Sequence, residues 1–454
     1  MAGVTAAREA AFKILMAVER GKVHADELLR GPSVSALAQA DRNLATTLVL
    51  GVLRSQLRLD AKIREFLTKP NAKLDVEDLI VLRMGAFQLL HLDRIPAHAA
   101  IGESVELAKQ AGHRFAAGMV NAVLRKLARN SGGIRDFTDV DCEQAHPAWL
   151  VARWKRIYGE ETARAICRHG QEQPKIAVRL ANLTAEHALI DEGVTLAPGR
   201  LLADARLVTS GDVAATETFR SGRVRIQDEG SQLIAEIAAD SQSTKELLQR
   251  VKGIVDACAA PGGKTMILAE RNPEARIVAC ESSQQRLAAL RERVASFGDR
   301  IECRLADAAA LNETAKYDLA LVDVPCSGTG TLGRNPEIRH RLKVEDLPRH
   351  ADRQKAILRA VVAAVRPGGR IVYSTCSLEP EENEQVIDGV LSEISELRRI
   401  PLDGRINALR DAGIVNGEGA ERLPGCVTAE GALRLIPGAL GTDGFFVVML
   451  EKAN

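Results

Sequence analysis

The chain has 454 residues, 46% hydrophobic and 27% charged, a balance that excludes a disordered, fibrous or peptide-sized molecule and leaves room for about three domains. Lys and Arg total 61 against 60 Asp and Glu, so a polyanionic partner has to be met by local basic patches rather than by a net charge of +1. Nine Phe, three Tyr and two Trp are too few for a surface that stacks many bases on exposed rings.

From Ala6 to about Arg129 apolar residues recur at helical spacing, as in Phe12, Leu15 and Val18 and again in Leu44, Leu48, Gly51 and Val52. Breaks at Gly31-Pro32, Pro70-Asn71 and Arg94-Ile-Pro96 divide the pattern into an expected bundle of five to seven helices. Residues 1–140 carry 20 Lys/Arg and 15 Asp/Glu, which makes the front mildly basic. Asn130-Ser-Gly-Gly133 reads as a linker, since two glycines follow a basic helix end. We therefore expect an all-helical domain over 1–135.

Residues 145–173 regain helical periodicity, and 174–227 mix short alternating segments such as Ile176–Leu180 with glycines, so 136–227 reads as a small α/β connector. From 228 to 454 buried runs alternate with amphipathic helices, the texture of a doubly wound, Rossmann-like α/β sheet. The runs are Gly253–Asp256, Arg276–Glu281, Ile301–Leu305, Tyr317–Asp323, Gly369–Ser374 and Gly444–Leu450. None of the eight cysteines forms a Cys-x-x-Cys pair, so they are expected to be reduced thiols with no bound metal. Met1–Thr5 lacks a basic-then-apolar leader, and no apolar run approaches the roughly 18 residues of a membrane span, so a cytoplasmic chain with no membrane partner is expected.

In such a sheet ligands bind beyond the carboxyl ends of the strands. After the first run stands Asp256-Ala-Cys-Ala-Ala-Pro-Gly-Gly-Lys-Thr265, where glycines admit close backbone approach and a following helix offers its first N–H groups to an anion. A triphosphate loop would need Gly five residues before Gly263; Cys258 stands there, and Pro261 removes a donor. A Gly-x-Gly-x-x-Gly dinucleotide motif is absent too. Glu281, about twenty residues on, is placed to accept from ribose hydroxyls, and Asp307 from an adenine amino group. Together with the loop Cys258, Ala259, Ala260, Pro261, Gly262, Gly263 and Lys264, these acids point to S-adenosylmethionine. Each acid alone reads equally well as a solvated strand-end charge.

Asp323-Val-Pro-Cys-Ser-Gly-Thr-Gly330 and Tyr373-Ser-Thr-Cys-Ser-Leu-Glu-Pro-Glu-Glu-Asn383 follow consecutive runs, which places Cys326 and Cys376 at neighbouring strand ends. A lone cysteine is usually a small buried hydrophobe. Two at ligand-facing ends suit a methyl donor whose target is C5 of a pyrimidine, a carbon that becomes nucleophilic only after a thiolate adds at C6. Asp323 is close enough in sequence to support N3 during that addition, and the second thiol is a reasonable base for the C5 proton.

On these motifs, and on the ending Gly441–Phe446, residues 225–454 resemble the RNA cytosine-5 methyltransferases of the Nol1/Nop2/Sun family, while residues 1–135 resemble the RNA-binding NusB module. The resemblance implies Cys376 as nucleophile and Cys326 in product release. It implies Cys258–Lys264, Glu281, Asp307 and Asp323 as the cofactor site, with Lys264 also a candidate for holding the acceptor base. Glu281 departs from the Asp common in relatives by one methylene. The implied substrate is cytosine 967 of 16S ribosomal RNA, with another rRNA site, a tRNA, or a non-catalytic role in ribosome assembly as alternatives. Arg334, Arg339, Arg341 and Lys343, just after the Cys326 loop, and Arg125, Lys126 and Arg129 on the front domain are the candidate RNA contacts. A monomer is expected.

Overall fold

The computed structural model describes residues 3–21, 23–71, 73–130, 138–239 and 251–453. They form two compact units, 1–173 with 332–341, and 174–331 with 342–454. The expected linker, apart from Asn130, lies outside the described residues.

Between Ala6 and Asn130 the first unit has seven helices: α1 (Ala6–Glu19), α2 (Ala25–Leu29), α3 (Pro32–Ser35), α4 (Gln39–Phe66), α5 (Val76–His91), α6 (Ala97–Gln110) and α7 (Ala116–Asn130). Their boundaries follow the expected breaks. Pro32 opens α3, where its missing N–H needs no intrahelical acceptor, and the Pro96 position precedes α6. The apolar stripe of α4 buries Leu48, Val52, Leu59 and Ile63 against Ile80, Met84 and Phe87 of α5 in one core. Gly51 makes the close crossing of these helices possible, since a Cβ there would lie 2.0 Å from the Phe87 ring. Among the described residues three more helices, α8 (Asp139–Gln144), α9 (Ala148–Tyr158) and α10 (Glu160–Gln171), and the short helix Ile338–Arg341 also belong to this unit, so the helices expected in the connector group with the bundle.

In the second unit a four-stranded antiparallel sheet comprises β1 (Ala177–Leu180), β2 (Thr195–Pro198), β3 (Ala205–Ser210) and β4 (Val224–Ile226), in the order β2-β3-β1-β4. The larger sheet comprises β5 (Gly253–Asp256), β6 (Arg276–Glu281), β7 (Ile301–Leu305), β8 (Tyr317–Asp323), β9 (Val365–Thr375), β10 (Leu397–Ile400), β11 (Leu433–Leu435) and β12 (Phe445–Lys452). Its order is β10-β12-β9-β8-β5-β6-β7, with β11 also on β12; β9 through β7 are parallel, and β12 runs antiparallel to β9. The sheet is thus mixed, and the short strands β10 and β11 were not expected from the sequence.

Alternate side chains divide between two cores, one on each face. Ile254, Leu319, Leu321, Val372 and Val447 lie in one, and Val255, Ala320, Val322, Ile371 and Val448 in the other. Burial on both faces explains why these strands read as continuous apolar runs. The small sheet is tied to the large one by charge: buried Arg179 of β1 meets Glu236 at 2.7 Å, and Arg271, at the end of the helix Gly263–Arg271, donates to the same carboxylate at 2.8 Å and to Asp204 at 3.1 Å. Glu229 accepts three successive backbone N–H groups, from Arg200, Leu201 and Leu202, at 2.7–2.9 Å.

Candidate active site

Asp256, Glu281 and Asp323 end the parallel strands β5, β6 and β8, and Asp307 follows β7, so the four acids stand along one edge of the sheet. The chain leaving β5 turns at Gly262, whose φ of +100° suits a residue without Cβ; a Cβ there would also sit 2.8 Å from Leu290. The helix Gly263–Arg271 starts at once, and its first-turn amides have no intrahelical acceptors. The Thr265 hydroxyl donates to Asp256 at 2.7 Å, fixing the loop to the strand it leaves. Burial raises the Asp256 carboxyl to about 6, with the nearby Asp323 charge adding to the rise. Burial likewise pushes the Cys258 thiol well up, which suits a loop constituent rather than a nucleophile.

Glu281 is buried, accepts the Ser283 N–H at 2.8 Å, and lies 3.5 Å from Arg286, which in turn donates to the Ala260 carbonyl at 2.8 Å. Arg286, which the sequence reading passed over, thereby joins the β6 carboxylate to the loop. Asp307 caps a short 3₁₀ turn through the Ala309 N–H at 3.0 Å and pairs with Arg353 at 3.1 Å, its side chain half exposed. Backbone turns, helix amides and a carboxylate at the end of each adjacent strand form a donor and acceptor set that suits an adenosine carrying an amino-acid tail.

The reacting end is built on β8 and β9. Asp323 pairs in register with Ser374, whose hydroxyl donates to it at 2.7 Å, and its other oxygen accepts from Lys264 Nζ at 2.7 Å. Burial would lower Lys264, but the Asp323 carboxylate, and after it the Cys376 thiolate, hold the ammonium above its usual range. The Lys264 ammonium also lies 6.0 Å from the centre of the Phe445 ring.

Cys326 and Cys376 are both partly buried free thiols, with their sulfurs 3.3 Å apart. Their loops interlock. Gly330 N–H donates to the Cys376 carbonyl at 2.9 Å, Leu378 N–H to Thr329 Oγ1 at 2.9 Å, and Gly444 N–H to the Gly330 carbonyl at 2.8 Å. The hydrogen bond to Cys376, then burial, then the charges of Cys376 and Glu382 push the Cys326 thiol well above its usual value. Cys326 is therefore held as a neutral thiol, in contact with the Cys376 sulfur across a pair in which either atom can donate.

The basic stretch after this loop does not serve as the sequence suggested. Arg339 is 1% exposed and donates to the carbonyls of Ala145, Gly170 and Leu332 at 2.7–3.2 Å; burial lowers it to about 9. Arg341 donates to the Val18 and Val23 carbonyls at 2.6 and 2.8 Å. Both guanidiniums satisfy backbone groups of the helical unit; Arg339 is enclosed and not presented to phosphates, which corrects its assignment as an RNA contact, while Arg341 stays partly exposed. Arg334 is half-buried, whereas Lys343 is exposed, as are Arg125, Lys126 and Arg129 on α7.

Comparison with known proteins shows the family of the chain. Residues 247–451 match the family described as 16S rRNA methyltransferase RsmB/F, residues 5–129 the NusB family, and residues 146–205 the ferredoxin-like domain of RsmF/B-like methyltransferases. The probable ribosomal RNA small subunit methyltransferase B of Bacillus subtilis is 33% identical, over 99% of both chains. The chain belongs to the RsmB family. The ribosomal RNA small subunit methyltransferase B of Xanthomonas campestris is 32% identical, covering 100% of this chain and 98% of its own. The crystal structure of PH0851, 22% identical, shares the fold over 99% of this chain and 100% of its own with a TM-score of 0.77. This RsmB-family chain thus combines a helical NusB domain, a ferredoxin-like middle domain and a mixed-sheet methyltransferase domain that uses S-adenosylmethionine. No helix among the described residues is long and apolar enough to cross a membrane.

Proposed function

We propose that this RsmB-family enzyme methylates C5 of cytosine 967 of 16S ribosomal RNA in the cytoplasm, through a covalent bond between Cys376 and C6 of the base. The observation that carries the reading is the thiol pair: two sulfurs 3.3 Å apart at the ends of adjacent parallel strands, beside a Lys264–Asp323 ion pair of 2.7 Å. Bound S-adenosylmethionine supplies an electrophilic methyl group; Cys258–Lys264, Glu281 and Asp307 are the residues to hold it. The Lys264 ammonium favours the Cys376 thiolate, which adds to C6 and makes C5 nucleophilic. Asp323, fixed by Ser374 and Lys264, passes a proton from the Lys264 ammonium to the ring nitrogen as negative charge develops there. Once Cys376 is bonded to C6 its charge no longer holds the Cys326 proton; Cys326 gives that proton to solvent, its thiolate takes the C5 proton after C5 carries the methyl group, the ring nitrogen returns its proton through Asp323 to Lys264, and the C6–sulfur bond breaks to release Cys376 as the thiolate. A base attacked in this way must be unstacked, so the substrate presents it in a loop or in a partly assembled particle.

The test is adduct trapping. Incubated with cofactor and small-subunit RNA, Cys326→Ala accumulates an RNA–protein species that survives a denaturing gel, and Cys376→Ser forms none and does not methylate. Turnover by Cys376→Ser overturns the reading. Bisulfite sequencing of cells with and without the gene then reads the position, and loss of protection at a cytosine other than 967 overturns the site.

A further inference from the structure

Both cysteine loops converge on a group that the mechanism has not used. Glu382 is 0% exposed, and the four donors to its carboxylate among the described residues are all neutral. Oε1 accepts the Ser327 N–H at 2.8 Å and Gln354 Nε2 at 3.1 Å; Oε2 accepts the hydroxyls of Ser327 and, at 2.5 Å, Ser377. Ser327 and Ser377 are the residues immediately after Cys326 and Cys376. Gln354 holds the Pro325 carbonyl at 3.0 Å with the same amide, so one carboxylate governs the chain on both sides of Cys326.

Glu382 is itself fixed from behind. Its carbonyl accepts from the Tyr373 hydroxyl at 2.6 Å, and Asn383 beside it bridges Thr375 Oγ1 at 2.6 Å and the Ser377 carbonyl at 3.0 Å.

Leaving a carboxylate in the interior without a cation is costly, and is tolerable only with a full set of strong donors. A carboxylate is acceptor-only, so it takes both hydroxyl protons at once; in a glutamine the NH2 group would donate to the two serine oxygens instead, reversing both hydrogen bonds and removing the charge. Because both hydroxyls donate to Oε2, the 3.1 Å approach of Ser327 Oγ to Ser377 Oγ is held by the shared acceptor rather than by a bond between them.

We propose that Glu382 is a positioning residue that fixes the Cys326 and Cys376 loops against each other, setting the separation and orientation of the two reacting sulfurs. Its charge has a second effect, adding to the hydrogen bond with Cys376 and to burial in raising the Cys326 thiol. This inference rests on the covalent mechanism proposed above.

The test compares full-length wild type with Glu382→Gln, which has almost the same shape. We expect methylation kcat to fall by about thirtyfold or more, as for a small misplacement of reacting groups, with the KM for cofactor within about twofold, as expected when ground-state binding is spared. The pH profile of Cys326 alkylation, followed by peptide mass spectrometry, should move to lower pH. A folded Glu382→Gln enzyme with wild-type kcat and an unmoved alkylation profile overturns the proposal. Should that variant not fold, Ser377→Ala removes one donor and leaves the carboxylate; about a fivefold loss in kcat, the scale of one hydrogen bond, supports the proposal, and wild-type kcat overturns it. If Cys326→Ala with Glu382 intact forms no RNA adduct, the covalent reading fails, while the Cys326 alkylation profiles of wild type and Glu382→Gln still report whether Glu382 acts on the sulfurs.

Discussion

Gly330 is the tightest point of the interlock between the two cysteine loops, and Gly330→Ala tests how closely that interlock sets the chemistry. A Cβ at this position would stand 2.4 Å from the Gly444 carbonyl oxygen and 2.8 Å from the Cys376 carbonyl oxygen. Both obstacles are backbone, so no side chain can swing away, and ordinary contact requires a separation of roughly 1 Å. The same two neighbours are bonded to Gly330, through its N–H to Cys376 at 2.9 Å and its carbonyl to Gly444 at 2.8 Å. Weakening two backbone hydrogen bonds of about 1 kcal/mol each and overpacking a filled site by about 1–3 kcal/mol gives a loss of roughly 3 kcal/mol. For a unit of this size that lowers Tm by about 6–12 °C. Relieving the 2.8 Å approach moves the Cys376 carbonyl by about 0.6 Å, which should lower kcat on the order of 10-fold or more. Thermal melts followed by far-ultraviolet circular dichroism read the first quantity. Methyl incorporation below the melting range reads the second, with Cys376 alkylation as a check independent of RNA. A Gly330→Ala enzyme with wild-type Tm and wild-type turnover would refute the reasoning.

Arg339→Met keeps most of the buried volume but leaves the Ala145, Gly170 and Leu332 carbonyls without their donor; stability should drop by about 3 kcal/mol, while the salt slope of RNA binding stays unchanged. A shallower slope with unaltered stability would return Arg339 to the RNA contacts. Replacing exposed Arg125, Lys126 and Arg129 together by Ala should lower the log–log salt slope of RNA affinity by about 2, at roughly 0.7 per phosphate on single strands; an unchanged slope removes the α7 patch. Asp256→Asn tests the buried carboxyl. Burial raises Asp256 to about 6, so the folded chain holds this proton more tightly than the unfolded one, and the resulting stability is complete below about pH 4 and lost as the pH rises through 6. Asparagine still accepts from Thr265, so the variant should gain about 3 kcal/mol on wild type between pH 4 and 7, read as the difference of their Tm values across that range. A difference independent of pH contradicts the assignment.

The parts of the fold legible in the sequence are those where a local pattern maps onto a single structure. Gly253–Asp256, Arg276–Glu281, Ile301–Leu305 and Tyr317–Asp323 are strands with the bounds read for them: Ile254-Val255, Ile277–Cys280 and Leu319–Val322 are runs of apolar residues buried on both faces, while Ile301-Glu-Cys-Arg-Leu305, at the sheet edge, alternates apolar with charged residues. The strands β10 and β11 are short edge or near-edge pieces such as Leu397-Arg-Arg-Ile400, whose charges face outward and whose pairing is set by β12 rather than by their own residues. Cys326, Cys376 and Asp323 could be read because the carboxyl ends of parallel strands are where this architecture puts chemistry. The residues that hold them could not. Arg339 and Lys343 look alike in a basic run, yet one is enclosed by three carbonyls and the other is exposed, a difference made by helices nearly two hundred positions away in the chain. Glu382 was in view inside the Thr375–Asn383 motif as one of several acids. What distinguishes it is the convergence of Ser327 from β8 and Gln354 from the helix Asp346–Ala364 on its two oxygens, contacts that exist only once the strands are paired. Motif spacing therefore locates the reacting sulfurs, while the interactions that orient them come from distant segments and become visible only in the folded chain.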